Sequence, residues 1–278
     1  MVEKQFFESI IRHVDKNNTE FIVIDDASPR KNDLEKLLLR VSQKGKLDMR
    51  IIYNKTNHGY PYNVNQGVDV ASNNYVALAT SDIFIPQGAI ASMCSVLDQY
   101  PDVAVVGPTV NRTINRGYRA QAITTFNITA FSDEEYAKIE NIAQRQREKP
   151  RVILDVNWVV GYFMIVRRNP FIEIGGADLR YGVGYGEETD FEVRLRRAGY
   201  RLAIDRNAFI FHGHPEKMQS YLGASMNTIP KEAAKAAVKN NLYFMKKNKL
   251  QTFLMFYDWT FRKKFKTIDG GYVKGGLE

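Results

Sequence analysis

Between Phe21 and Val106, short β-rich runs alternate with stretches of helical periodicity, and few architectures accept that rhythm. Phe21-Ile-Val-Ile24 stops at Asp25-Asp26-Ala-Ser-Pro29, the pattern of a buried parallel strand whose carboxyl end meets a turn. Asn32 can cap a helix through Asp33–Val41 that Gly45 ends. Met49–Tyr53 reads as a second strand, Asn57-His-Gly-Tyr-Pro61 as a loop and Asn63–Ala71 as a short helix. Tyr75–Ala79 is a third strand, ending at Thr80-Ser81-Asp82; Gly88–Tyr100 is helical and Val103–Val106 is a fourth strand. This spacing predicts an α/β fold, a Rossmann-like and mostly parallel sheet with helices on both faces. Ligands of such sheets bind beyond the carboxyl ends of the strands, where Asp25, Asp26 and Asp82 fall.

Outside that core the pattern changes. Phe6, Phe7, Ile10, Ile11 and Val14 have helical spacing. Arg112–Pro150 interrupts the alternation and reads as an insertion over one side of the site, with a capping box at Ser132-Asp-Glu-Glu135 starting a helix. Val152–Val166 is strand-like around Trp158 and Gly161, and Gly175-Gly176 is a turn. Arg201–Ile204 and Phe209–Phe211 read as two short strands before His212-Gly-His214-Pro215.

The stretch Gly184–Tyr200 carries the strongest chemical signal. Gly182, Gly184 and Gly186 break regular structure, then Glu187, Glu188 and Asp190 open a helix that Gly199 closes. One carboxylate at a helix N-terminus is ordinary capping. Three behind a glycine-rich loop suggest a general base with an orienting partner.

At 278 residues, 44% of them hydrophobic, the chain can bury a sizeable core. The single cysteine, Cys94, excludes an intramolecular disulfide and a cysteine-based zinc site, and reads as a small buried residue. No stretch is long and apolar enough for a membrane span and no signal peptide is apparent, so the expectation is a cytoplasmic protein. The net charge of +8 is concentrated at the end: Lys231–Lys266 holds ten Lys or Arg against two acids, Glu232 and Asp258.

Lys231–Lys247 reads as a helix with Pro230 before it. In Leu250–Phe265, rings such as Phe253, Tyr257 and Trp259 interleave with Arg262, Lys263 and Lys264, and a second short helix is expected. Two readings stand: the rings bury at an anionic membrane surface, placing the protein peripherally at the inner face, or they pack on the preceding domain. The large aliphatic share disfavours nucleic acid. The expected division is a catalytic domain over 1–225 and a basic helical appendage over 226–278.

Taken in order, Asp25-Asp-Ala-Ser28, Asn57-x-Gly59, Asn65-x-Gly67, Ser81-Asp82, Trp158-x-x-Gly161, Gly175-Gly176, Gly186-Glu-Glu-x-Asp190, Arg197-Ala-Gly-Tyr200 and His212 resemble the family 2 glycosyltransferases of the GT-A fold. Within that family they resemble most the rhamnosyltransferase-type members. Each motif is weak alone; nine in the right order are specific.

The resemblance implies roles. Asp25, with Asp26 beside it, matches the acid that contacts the nucleotide base, and Asn57, Gly59 and Asn65 match the nucleotide pocket. Asp82 matches the last acid of the family's DxD motif, a ligand of Mn or Mg on the donor diphosphate, and His212 matches a histidine that completes that site in some members. Ser81, Trp158, Gly161 and Tyr162 match the donor and acceptor pocket. Glu188 matches the catalytic base, with Asp190 and Glu187 as alternatives. A single base implies direct displacement with inversion, from a nucleotide-diphosphate sugar to a glycan or lipid-linked glycan. A catalytically degenerate binder of glycan or nucleotide, and a sugar transferase acting on nucleic acid, are the alternatives. No local motif specifies the donor sugar or an oligomeric state.

Three positions depart from the family pattern. Thr80 occupies the first place of DxD, and Glu188 stands where Asp is usual. Family members also begin with a buried strand ending in a Pro-Thr-Tyr-Asn-like turn, whereas this sequence reads as starting in the following helix. The sequence is then a truncated form, or Phe21–Ile24 pairs directly with Tyr75–Ala79, or a segment from elsewhere lies between them, because buried strand edges cannot leave their amides unpaired.

Overall fold

The computed structural model describes residues 3–29, 31–111, 121–123, 132–148, 153–213, 231–250, 252–253 and 264–274. The first half follows the expected alternation: α1 (Glu3–His13), β1 (Phe21–Asp25), α2 (Lys31–Gly45), β2 (Met49–Tyr53), α3 (Tyr60–Val70), β3 (Tyr75–Ala79), β4 (Ile83–Phe84), α4 (Ala89–Gln99) and β5 (Val103–Val110). The second half comprises α5 (Asp133–Glu148), β6 (Ile153–Val156), β7 (Phe163–Arg167), α6 (Arg168–Glu173), α7 (Glu187–Arg197), β8 (Arg201–His212), α8 (Lys231–Lys247), β9 (Lys264–Lys266) and β10 (Tyr272–Lys274).

The sheet is mixed rather than mostly parallel. Its strand order is β3-β7-β5-β8-β4, with β6 also paired to β8. β5 and β8 are parallel, whereas β7 runs antiparallel to both β3 and β5, and β4 and β6 run antiparallel to β8. The antiparallel strands all involve short returns or the chain beyond the insertion, where no crossover helix forces parallel pairing. β7 is apolar on both faces. Phe163 and Ile165 join a cluster with Phe7 and Ile10 of α1, Leu38 of α2 and Met93 and Leu97 of α4. Met164 and Val166 face the opposite cluster, with Val64 and Val68 of α3, Phe171 of α6 and Phe191 and Leu195 of α7. Helices on both faces thus cover the sheet, each buried large side chain contributing about 1.5–3 kcal/mol.

Local signals account for the element ends. Pro61 lies in the first turn of α3, where a missing N–H costs nothing, so the helix starts at Tyr60, inside the stretch expected to be a loop. Ser132 Oγ accepts the Glu135 amide at 3.3 Å, as its capping box requires. Gly199, at φ +95°, ends α7, with Tyr200 N–H reaching back to Leu195 C=O at 3.1 Å. The two short strands expected at 201–211 are one strand, β8, with a register shift opposite Pro108–Thr109. Pro108 offers no N–H to the ladder, and Asp205 at the irregularity instead accepts from Ser92 Oγ at 2.6 Å and Asn207 N–H at 3.0 Å.

β1 does not pair with β3. Among the described residues β1 bonds only to β2, in a separate parallel pair, and β3 only to β7. Phe21–Ile24 are half-buried rather than buried, and Ala77 and Ala79 are exposed.

The expected helix at 250–265 is also corrected at its end: Lys264–Lys266 is a strand that pairs antiparallel with Tyr272–Lys274. Phe265 is buried in the cluster of Val156, Val159 and Leu202, so this ring packs on the preceding domain. Residues 254–263, with Tyr257, Trp259, Arg262 and Lys263, lie outside the described residues. Among the described residues no helix is long and apolar enough to cross a membrane.

Candidate active site

The carboxyl ends of β1, β3 and β8 and the segment entering β7 come together, through Gly59 against Gly182, Tyr60 Oη near Gly161 C=O, and His212 beside Asp82 and Tyr162. At the end of β1, Asp26 organises the neighbouring loop. Its carboxylate accepts His58 N–H at 2.9 and 3.1 Å, Gly59 N–H at 2.8 Å and Asn54 Nδ2 at 2.9 Å. Burial alone would raise this carboxyl, but those donors hold it below the usual carboxylate range. Asn57 Nδ2 donates to Asp26 C=O at 3.2 Å, and Asn54 is held in turn by Asn63. Asp25 is buried and accepts Ser28 N–H at 3.1 Å, fixing its own turn. At Gly59 (φ +85°) a Cβ would sit 2.1 Å from the Gly182 carbonyl oxygen, so this loop and the glycine loop before α7 can touch only through glycine.

At the end of β3, Thr80 Oγ1 donates to Asp82 Oδ1 at 2.6 Å. β4 pairs Ile83 with His212, which brings His212 Nε2 to 3.6 Å from Asp82 Oδ1. The His212 ring stacks on Tyr162 with centroids 4.0 Å apart and planes at 8°. Ser81 is exposed beside this pair. Both side chains keep about a fifth of their surface open (23% and 22%), so the pair is open to solvent. Oxygen plus imidazole is a donor set that Mn accepts well, and Mg or Mn sites often take few protein ligands, leaving the rest to phosphate and water. The residues therefore fit the expected ion as a two-ligand site. Among the described residues no group of three His, Cys, Asp or Glu side chains could hold one without substrate. His214 lies outside the described residues.

The third component is the carboxylate helix. Residues 157–162 leave β6 and cross to β7 without a ladder, and their amides are held by side chains: Val159 N–H by Glu192 Oε1 at 3.0 Å and Val160 N–H by Gln121 Oε1 at 2.9 Å. This crossing buries Trp158 and lays Gly161 against Glu188. Glu188 is half-buried at the first turn of α7 and accepts Gly186 N–H at 3.2 Å. Glu187 is buried beside it. Burial first, then the adjacent Glu188 carboxylate, push Glu187 up to about 8. Burial also raises Glu188, and it raises the fully buried Glu192 well above the usual range. Tyr60, whose hydroxyl lies 3.5 Å from Gly161 C=O, is pushed up by burial and then by Glu187 and Glu188. The arrangement is a cluster of three carboxyls raised by burial, with Glu187 and Glu188 adjacent and Glu187 holding its proton near neutral pH.

Two expected site residues serve elsewhere. Asp190 is fully buried and bonded to Lys247 Nζ at 2.7 Å and Arg194 Nε at 2.8 Å, so it is occupied as an ion-pair hub and unsuited to take a proton from substrate. Asn65 accepts Ala177 N–H at 2.7 Å and donates to Ala177 C=O at 2.8 Å, which makes it a strut between α3 and the Gly175-Gly176 turn. Two residues earlier, on a different face of α3, Asn63 meets Asn54 instead. Sequence reading missed Asn54, Tyr60, Asn63 and Glu192. The four-residue spacing of Glu188 and Glu192 was the one available signal.

The model of the family described as "Glycosyl transferase family 2" matches residues 4–175, more than half of the chain, and the chain belongs to that family. Its fold is of the GT-A type. Among solved structures it is similar to GalNAc-T7 with UDP, GalNAc and Mn2+ (TM-score 0.56, 13% identity, 74% of this chain and 40% of that one). It is also similar to the mannosyltransferase PcManGT from Pyrobaculum calidifontis in complex with GDP-Man and Mn2+ (0.54, 14%, 78% and 54%) and to S. aureus TarS 1–349 (0.54, 14%, 93% and 76%). The chain spans about half or less of the length of the first two. No curated protein matches by sequence.

Proposed function

We propose that the protein transfers a sugar, with inversion, from a nucleotide-diphosphate sugar to a hydroxyl of a glycan or lipid-linked glycan. The observation that carries this is Glu188, a half-buried carboxyl of raised basicity at the first turn of α7 that backs onto Gly161. In this reading the acceptor oxygen attacks the anomeric carbon, its proton passes to Glu188, and the bond to the diphosphate oxygen breaks. Glu187, which holds its proton near neutral pH, leaves the charge of the pair on Glu188, and burial shifts Glu192 in the same direction as Glu187. Asp26 and its loop offer the nucleotide a rigid wall of amides. Asp82 and His212 would hold a divalent ion, Mn or Mg, whose charge stabilises the departing diphosphate. Similar folds in complex with UDP and Mn2+ or with GDP-Man and Mn2+ support the donor class.

Glu188→Gln keeps shape and removes the base. Turnover is expected to fall roughly 10²-fold or more, with nucleotide-diphosphate affinity little changed. Full turnover in the variant would move the base to Glu187. A wild-type protein that binds nucleotide yet turns over no donor from a broad panel would instead be a degenerate binder.

A further inference from the structure

The loop that delivers the candidate base has a backbone that needs holding. Gly182, Gly184, Tyr185 and Gly186 have φ of 59°, 115°, 74° and 106°. Tyr185 bears a side chain in the left-handed region, and glycine loops are costly to order because their unfolded freedom is large. From within, the loop has Gly182 N–H to Leu179 C=O at 3.0 Å, Gly184 N–H to Tyr181 C=O at 3.2 Å, Gly186 N–H to Glu188 at 3.2 Å and Asp190 N–H to Gly186 C=O at 3.0 Å, none of which engages the Gly184 carbonyl.

The remaining restraint comes from more than fifty residues away. Asn240 of α8 is 3% exposed, and its Nδ2 donates to Tyr181 C=O at 2.7 Å and to Gly184 C=O at 2.6 Å. A primary amide has two hydrogens to give, one for each carbonyl. α8 is itself anchored on both sides of the loop. Phe244 packs on Tyr181 and Val193. Lys247 Nζ bridges Asp178 Oδ2 at 2.8 Å and Asp190 Oδ1 at 2.7 Å, and Tyr243 Oη donates to Asp178 at 3.0 Å. The helix thus grips the chain before the loop, the chain after it and, through Asn240, the loop itself.

From this geometry we infer that Asn240 is a positioning residue, holding the Gly182–Gly186 loop in the shape that sets Glu188 against Gly161, with Glu187 beside it. The basic C-terminal segment is then a working part of the site rather than an appendage. The inference rests on the transferase reading for its catalytic consequence, but the clamp on the loop is measurable without turnover.

The test is Asn240→Leu, which keeps the volume and removes both donors, with Leu242→Ala, exposed on the same helix, as control. Amide exchange at residues 184–188 is expected to rise about tenfold or more while β5 stays protected. kcat is expected to fall about tenfold with KM for the nucleotide sugar unchanged, because a misplaced base costs the chemical step alone. Asn240→Ser, with one donor hydrogen, falls between and serves as the reading if the Leu variant does not fold. Unchanged exchange at 184–188 in a folded variant overturns the inference, as does a loss of activity that only tracks the loss of folded protein. If the wild type turns over no nucleotide sugar, the transferase reading falls and the exchange measurement alone decides the clamp.

Discussion

A side chain at Gly161 would place its Cβ 2.9 Å from Cγ of Glu188, closer than such carbons approach. The two residues are on different elements, and their contact fixes where the carboxyl stands. Gly161→Ala is expected to push Glu188 off its position and lower turnover about 10–10²-fold, with nucleotide affinity and overall fold retained. Steady-state kinetics beside calorimetry of nucleotide binding checks this. Wild-type kinetics in the variant would show that Glu188 relaxes without consequence.

Asp82 and His212 bear on metal dependence. Asp82→Ala is expected to abolish the difference in nucleotide-diphosphate affinity measured with Mn and with chelator, and His212→Ala to reduce it. A wild-type protein whose binding ignores chelator would remove both residues from the metal assignment.

The buried carboxyls couple stability to pH. Folded Glu187 and Glu192 keep protons that an unfolded chain releases above about 4.5. Above that pH the unfolded state therefore binds fewer protons, and this contribution to stability is lost as pH rises through the folded values, about 8 for Glu187. The Tm of the wild type should fall between pH 6 and pH 9. Glu187→Gln, which removes that titration, should flatten the fall and raise Tm at pH 9 by about 2–4 °C or more. A parallel pH dependence in wild type and variant would mean Glu187 does not titrate in this range.

The edges of β1 and β3 make a further expectation. The parallel ladder turns Phe21 and Val23 toward β2, leaving the Ile22 and Ile24 amides on the far edge. The antiparallel ladder likewise leaves the Ala77 and Ala79 amides on the edge away from β7. These four should exchange with solvent far faster than the β5 amides of Val105 and Val106. Slow exchange at all four would mean that an extended segment covers both edges.

Much of this was legible locally. The β1–β5 alternation, the Ser132 box and the Gly199 cap rest on neighbours within a few residues, and the carboxyl-end placement of Asp26 and Asp82 followed from them. Pairing order was not legible, because β7 meets β3 across almost ninety residues and nothing in Phe163–Arg167 marks its direction. The choice among three carboxylates was equally hidden. Asp190 is taken out of contention by Lys247, a lysine fifty-seven positions away at the end of a helix whose local sequence names no partner for it. Gln121 and Asn240 carry no pattern at all; only the fold brings them to the backbone they hold.

The separate β1·β2 pair has a consequence for exchange of parts between relatives. Asp26, Asn54 and the 57–59 loop hang on that pair and α3, whereas Asp82, Gly161 and His212 hang on the six-stranded sheet, and no ladder joins the two among the described residues. If the first group reads the nucleotide and the second handles the sugar, the two preferences can drift independently. Residues 21–70 then form a transplantable cassette whose graft must preserve Gly59, which meets Gly182, Asn65, which ties to Ala177, and Leu38, Val41, Val64 and Val68, which seat it on the sheet.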